Sequence, residues 1–142
     1  MMKTMRLTKM FSFEMAHCLW HYEGKCSNLH GHSYKMEVTV EGVPSQENGM
    51  VIDFKKLKDL VNEIIIDRFD HSTVLYDQAD SDMIRALKKN FERVWIMPFQ
   101  PSTENLLQHF ADLLLKVLPA DIKLYSIRLH ETETSYAELF FE

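Results

Sequence analysis

Two alternating runs, one ending in histidine and one that histidines extend, constrain this chain more than any other feature. In Leu7–His17, the residues Leu7, Phe11, Phe13, Met15 and His17 fall on one face, with Lys9 the exception. Arg6, Thr8, Ser12 and Glu14 fall on the other, with Met10 the exception. Tyr34, Met36, Val38 and Val40 alternate with Lys35, Glu37, Thr39 and Glu41. Side chains of a strand point to opposite faces with period two, so both runs predict half-buried strands. Extended back from Tyr34, the apolar face of the second run takes in His32 and His30, with Gly31 between them. Two imidazoles on adjacent same-face positions can address one ion, and Gly31 lets backbone or ligand approach closely. His17 adds a third imidazole, and Cys26 places a thiol shortly before His30.

The remaining chain predicts a small α+β domain. Asp53 is positioned to cap a helix whose apolar residues are Phe54, Leu57, Leu60, Val61, Ile64 and Ile65. The β-branched run Ile64-Ile65-Ile66 predicts that the helix weakens there. Arg68–Ser72 reads as a polar junction, Ser81–Phe91 as a short helix and Val94–Met97 as a short extended piece. Pro101-Ser102 opens a second strong helix carrying Leu106, Leu107, Phe110, Leu113, Leu114, Val117 and Leu118. Leu124–Glu131 and Tyr136–Phe141 read as closing strands around a Thr132–Ser135 turn. This order fits a four-stranded antiparallel sheet with two main helices on one face, in a single domain over residues 1–142. Such a sheet has two free edges and an uncovered face, so a homo-oligomer paired through its edges is expected.

Composition narrows the class. The chain has 142 residues, 46% of them hydrophobic, enough for one real core. Its net charge of −5 and its lack of a basic run argue against nucleic-acid binding. No apolar run approaches the roughly 20 residues of a membrane span. The two cysteines, Cys18 and Cys26, do not form a disulfide framework, and a reduced, cytoplasmic protein is expected.

Three nitrogen ligands with an open fourth position form the pattern of a catalytic zinc site. Cys26 has two readings at this point. As the fourth ligand it closes a structural Cys-His₃ site; as a free thiol beside a metal it shifts toward thiolate and can accept a proton. Asp70-His71 reads either as a carboxylate orienting an imidazole or as a surface pair at a helix end. Glu131 reads either as a solvated strand-end charge or, following Leu129 on the face assigned to Tyr125 and Ile127, as a partly buried group. Cys18, His21, His109 and His130 are expected to be structural or exposed.

Several blocks together resemble one family. They are Phe13-Glu14-Met15-Ala16-His17, Cys26-x-x-x-His30-Gly31-His32, Gly49-Met50-Val51-Ile52-Asp53-Phe54, Phe69-Asp70-His71, Pro101-Ser102-Thr103-Glu104-Asn105 and His130-Glu131-Thr132. In this order they resemble the 6-pyruvoyltetrahydropterin synthase/QueD family, and the short gap between Cys26 and His30 is most similar to its bacterial QueD branch. The resemblance implies a tunnelling fold (T-fold) assembled into oligomeric β-barrels, a trimer or hexamer with active sites between subunits. It implies a zinc-dependent lyase acting on 7,8-dihydroneopterin triphosphate and releasing a 6-carboxytetrahydropterin, acetaldehyde and triphosphate, for 7-deazaguanine synthesis.

It further implies His17, His30 and His32 as zinc ligands, Cys26 as proton acceptor and Asp70 with His71 as a proton relay. Glu131 would hold the pterin and is grouped with the relay, and Thr103 and Glu104 would line the pocket. The alternatives are a 6-pyruvoyltetrahydropterin synthase, a zinc- or pterin-binding module without catalysis, and an unrelated His₃ zinc hydrolase. The chain departs from the family pattern at Phe69, before the Asp-His pair, and at Leu75-Tyr76, after it. Its segment from about 77 to 99 is long, and it reads as an insert that covers the pocket or adds to a subunit contact.

Overall fold

The computed structural model describes residues 2–141. Strand β1 (Met5–His17) pairs antiparallel with β2 (His30–Gly42) along its whole length, from Met5 opposite Gly42 to His17 opposite His30. Both strands bury alternate residues, as their patterning dictates: Phe11, Phe13 and Met15 on β1, and Tyr34, Met36, Val38 and Val40 on β2. The connection between them contains one 3₁₀ turn, Lys25–Ser27.

Helix α1 (Phe54–Val61) starts where Asp53 accepts the Lys55 amide at 2.8 Å. It then passes into a π turn over Asn62–Ile66 and a last helical turn, α2 (Asp67–Phe69). The β-branched run that predicts weakening is therefore where the helix widens rather than ends. The widening has a packing consequence. Leu57, Val61, Ile65 and Phe69, four residues apart, are all fully buried. An unbroken α-helix drifts off a four-residue repeat, and the wider turn absorbs that drift. Phe54, expected on the buried face, is half exposed.

The sheet has six strands rather than four, in the order β4-β3-β1-β2-β5-β6. The additional pair comes from β3 (Ser72–Tyr76), helix α3 (Ser81–Asn90) and β4 (Val94–Met97). Strand β3 runs parallel to β1 beside Met15–His17, and β4 runs parallel to β3. The excursion therefore begins before residue 77, and it widens the sheet at the β1 edge. Strand β3 begins at the last residue of the polar junction Arg68–Ser72 and, at five residues, is too short for periodicity to reveal. A small core of Cys18, Leu75 and Val94, flanked by Met83, Ile84, Leu87 and Ile96, holds α3 to these strands.

Helix α4 (Thr103–Val117) is capped by Ser102, whose hydroxyl accepts the Asn105 amide at 3.2 Å. Strands β5 (Lys123–Thr132) and β6 (Ser135–Phe140) close the sheet against β2. Phe13 stacks on Tyr34 with ring centres 5.1 Å apart, and Phe110 of α4 meets both Phe13 and Phe69 edge-on. One core thus joins α1, α2 and α4 to a single face of the sheet. Next to Val40, a bulge in the β2–β5 register skips Tyr125. That bulge corrects the face assigned to Tyr125: its ring lies on the helix-free side with the Arg6 guanidinium 3.6 Å above it, while Ile127 and Leu129 point inward.

Candidate functional site

The inward face of β1 and β2 runs out of apolar residues at its far end and continues as histidine. Because His17 pairs with His30 and Met15 with His32, the three imidazoles form a triangle, with ring centres 4.7, 5.2 and 4.8 Å apart. One nitrogen of each lies within 4.8 Å of the others. The available nitrogens are set by neighbouring carbonyls. His17 donates from Nδ1 to Pro101 O at 2.6 Å, and His30 donates from Nδ1 to Asn28 O at 2.6 Å. A neutral imidazole that donates from Nδ1 keeps its lone pair on Nε2.

The Nε2 atoms of His17 and His32 are buried and have no hydrogen-bond partner. Leaving such atoms unpaired carries a desolvation cost, and a cation among them would remove it. Burial pushes the pKa of His17 and of His32 down, and it outweighs the opposing pull of the Glu131 carboxylate on both. The neutral, ligating form is thereby favoured. The donor set therefore fits a divalent metal bound by three nitrogens, with the backbone carbonyls of Pro101 and Asn28 orienting two of the ligands.

A cleft of about 540 Å³ opens beside the triangle. His17, Cys26, Thr103, Glu104, Glu131 and Tyr136 are among its lining residues. Glu131 follows Leu129 on the inward face of β5, and its Oε1 lies 3.6 Å from His32 Nε2. The Thr103 hydroxyl donates to its Oε2 at 2.6 Å. Glu131 is thus partly buried and tied to α4, the second of its two sequence readings. Burial, reinforced by Glu131, raises the pKa of the Tyr34 phenol beneath the site, so it stays protonated.

Asp70 and His71 sit elsewhere. Asp70 accepts the Glu14 amide at 2.8 Å, His71 N–H donates to Glu14 O at 2.6 Å, and the two side chains meet at 3.0 Å. His71 adopts φ 61°, left-handed for a residue with a side chain, and the hydrogen bonds to β1 hold it there. Burial alone would raise the pKa of Asp70, but the Glu14 amide, His71 and the Arg93 charge together lower it. His71 lines a second cleft of about 420 Å³ that includes Glu14, His32 and Ser33 but not Cys26. Within one chain, then, the histidines, Cys26, Thr103, Glu104 and Glu131 come together, and the Asp70-His71 pair stays apart from Cys26.

Sequence reasoning passed over Pro101 and Asn28, which act through carbonyl groups that every residue carries, and Tyr136, which lines the cleft from β6. His130, although adjacent to Glu131, lies on the other face and meets Glu37 at 2.7 Å.

The family model described as 6-pyruvoyl tetrahydropterin synthase matches residues 6–141. A Haemophilus influenzae protein named 6-carboxy-5,6,7,8-tetrahydropterin synthase is 37% identical over 139 residues, covering 94% of this chain and 96% of its own. An Aquifex aeolicus protein of the same name is 32% identical, covering 93% and 95%. The solved structure of Caenorhabditis elegans 6-pyruvoyl tetrahydropterin synthase superposes with a TM-score of 0.72 at 25% identity, over 99% of this chain and 98% of that one. These matches agree with the helix-backed sheet expected of a T-fold, and the chain belongs to the 6-pyruvoyl tetrahydropterin synthase family.

Proposed function

We propose that this chain is a zinc-dependent lyase that converts 7,8-dihydroneopterin triphosphate and water into 6-carboxy-5,6,7,8-tetrahydropterin, acetaldehyde and triphosphate, a step toward 7-deazaguanines such as queuosine. The observation that carries the reading is one cleft in which unpartnered histidine nitrogens, a thiol and an anchored carboxylate meet. The names of the Haemophilus and Aquifex relatives support the product, as does the short Cys26-to-His30 spacing.

His17, His30 and His32 would hold the zinc, which supplies Lewis acidity to the hydroxyls of the substrate side chain. Cys26, on the wall of the same cleft, accepts the proton from the hydroxyl-bearing carbon attached to the pterin ring. Glu131 accepts hydrogen bonds from the amidine-like N2/N3 edge of the pterin. The Thr103 hydroxyl takes up only one of its acceptor positions and holds the carboxylate plane, and Glu104 lines the cleft beside it. Asp70 and His71 return protons as a relay.

Since His71 and Cys26 line different clefts of one chain, the reading places the relay of one subunit against Cys26 of another, in a homo-oligomeric barrel of trimer or hexamer type. Free strand edges support this. Strand β3 covers only Met15–His17 of β1, and among the described residues no strand pairs with the outer edge of β6. Both cysteines are free thiols, which suits the reducing cytoplasm, and no described helix is long and apolar enough to cross a membrane.

Incubation of the purified protein with 7,8-dihydroneopterin triphosphate tests the reading. It predicts acetaldehyde and a carboxypterin. Triphosphate released without acetaldehyde would reassign the chain to pyruvoylpterin formation, and tight pterin binding without turnover would make it a binding module.

A further inference from the structure

Gln100 lies three residues before Thr103, which lines the cleft, and no role has yet been given to it. Its side-chain amide makes both hydrogen bonds that a paired strand would make to Trp20. Nε2 donates to Trp20 O at 2.6 Å, and Oε1 accepts from Trp20 N at 2.9 Å. One residue earlier, Leu19 N donates to the carbonyl of Cys26 at 2.8 Å. The turn that carries the thiol therefore hangs from Leu19 and Trp20, and Gln100 ties Trp20 to the body of the protein. The bonds from Ser27 N to Gly24 O and from Asn28 N to Lys25 O are internal to the turn and fix its shape, while the Asn28 carbonyl, accepting from His30 Nδ1, fixes its far end to β2.

The residue after Gln100 is Pro101, whose carbonyl orients His17. Two consecutive residues thus govern the two partners of the reaction, Gln100 the thiol loop and Pro101 a metal ligand. Their holds are separable. The backbone carbonyl of Gln100 is fixed by Ser102 N at 2.8 Å and by Asn105 Nδ2 at 3.0 Å, independently of its side chain.

We infer that Gln100 is a positioning residue that sets the Cys26 thiol against the histidine cluster through its two-point clamp on Trp20. The inference rests on Cys26 acting as the proton acceptor. Without the amide, the part-buried N–H and C=O of Trp20 lose their partners and turn toward water, and the thiol-bearing turn moves with them. Proton transfer depends on sub-ångström placement, whereas the metal-binding histidines sit on the paired strands β1 and β2, and the one orienting carbonyl in the turn, that of Asn28, lies at its end fixed to β2.

The test uses metal-loaded protein and two variants, Gln100→Ala and the isosteric Gln100→Glu, which keeps an acceptor for Trp20 N–H and loses the donor to Trp20 O. Iodoacetamide alkylation is followed by peptide mass spectrometry, so that Cys26 is scored apart from Cys18. For Gln100→Ala we expect a several-fold change in the Cys26 alkylation rate, an unchanged metal content, and kcat lower by about 10- to 100-fold with KM near that of the wild type. Gln100→Glu moves the same quantities in the same direction by less, and it stands in if the alanine variant fails to fold. Unchanged alkylation and kcat in the variants overturn the inference. Metal loss in step with activity also overturns it, by moving Gln100 into the support of His17. A Cys26→Ser variant with full turnover would remove the catalytic premise, while the alkylation rate of Gln100→Ala would still report whether the loop is held, so the two failures are told apart.

Discussion

Thr103 Oγ1 donates to Glu131 Oε2 at 2.6 Å and so fastens the first turn of α4 to the end of β5 beside the histidines. Thr103 is buried, so the bond forms in a place where water replaces it poorly. Thr103→Val keeps the shape and removes the donor. The expected stability loss is about 1 kcal/mol. Because Glu131 then loses its fixed orientation, KM for the pterin should rise several-fold with a smaller change in kcat, as steady-state kinetics will read.

Cys26 separates an open metal site from a closed one. If the three histidines alone hold the metal, Cys26→Ala retains a full complement of metal and loses turnover. Metal analysis alongside the acetaldehyde assay checks this. Loss of metal in the variant would make Cys26 a fourth ligand instead.

His17 is 1% exposed and bonded to Pro101 O, so its removal costs both structure and metal. His17→Ala should lower stability by about 2–3 kcal/mol through cavity formation and the loss of a buried hydrogen bond. It should also abolish metal retention after dialysis. Urea titration and elemental analysis read the two effects separately.

The buried histidines also set a pH dependence for the metal-free protein. Burial holds His17 and His32 below their ordinary 6.5. Between the lowered folded values and 6.5, the unfolded chain binds more protons than the folded one, so stability rises with pH across that window. The contribution is complete above 6.5 and is lost as the pH falls through the window. The urea midpoint of the metal-free protein should therefore be lower at about pH 5.5 than at about pH 7.5. Added zinc should steepen the dependence, because the metal binds only neutral imidazole.

Arg93, at the start of the β4 segment, donates from its guanidinium to the carbonyls of Asp67, Arg68 and Asp70. These are carbonyls at the end of α2, where a cation is also favoured by the helix dipole. Arg93→Ala should cost about 1 kcal/mol and loosen the turn that presents Asp70 and His71. Hydrogen exchange should quicken at His71 N–H, which is bonded to Glu14 O, before the β1–β2 core changes.

The sequence alone determined the inward and outward faces of β1 and β2, and with them the three histidines, because alternation is a local property of the chain. It also determined the cap at Asp53, where one side chain answers the amides of the next turn, and the start of α4 at Pro101-Ser102. Residue order added the family and the roles it implies. Tertiary structure decided the pairing of His17 with His30, since register depends on two strands rather than one. It decided the face of Tyr125, turned by a bulge that leaves no mark on the local pattern. It added β3, too short to carry a period of its own, and through it joined the helix and extended piece read at Ser81–Phe91 and Val94–Met97 to the edge of β1. It also separated Asp70-His71 from Cys26 and brought Gln100 to Trp20, 80 positions away. Hydrogen bonds between distant backbone and side-chain groups have no signature in a single sequence, because any residue can supply a carbonyl and only the fold brings one within reach.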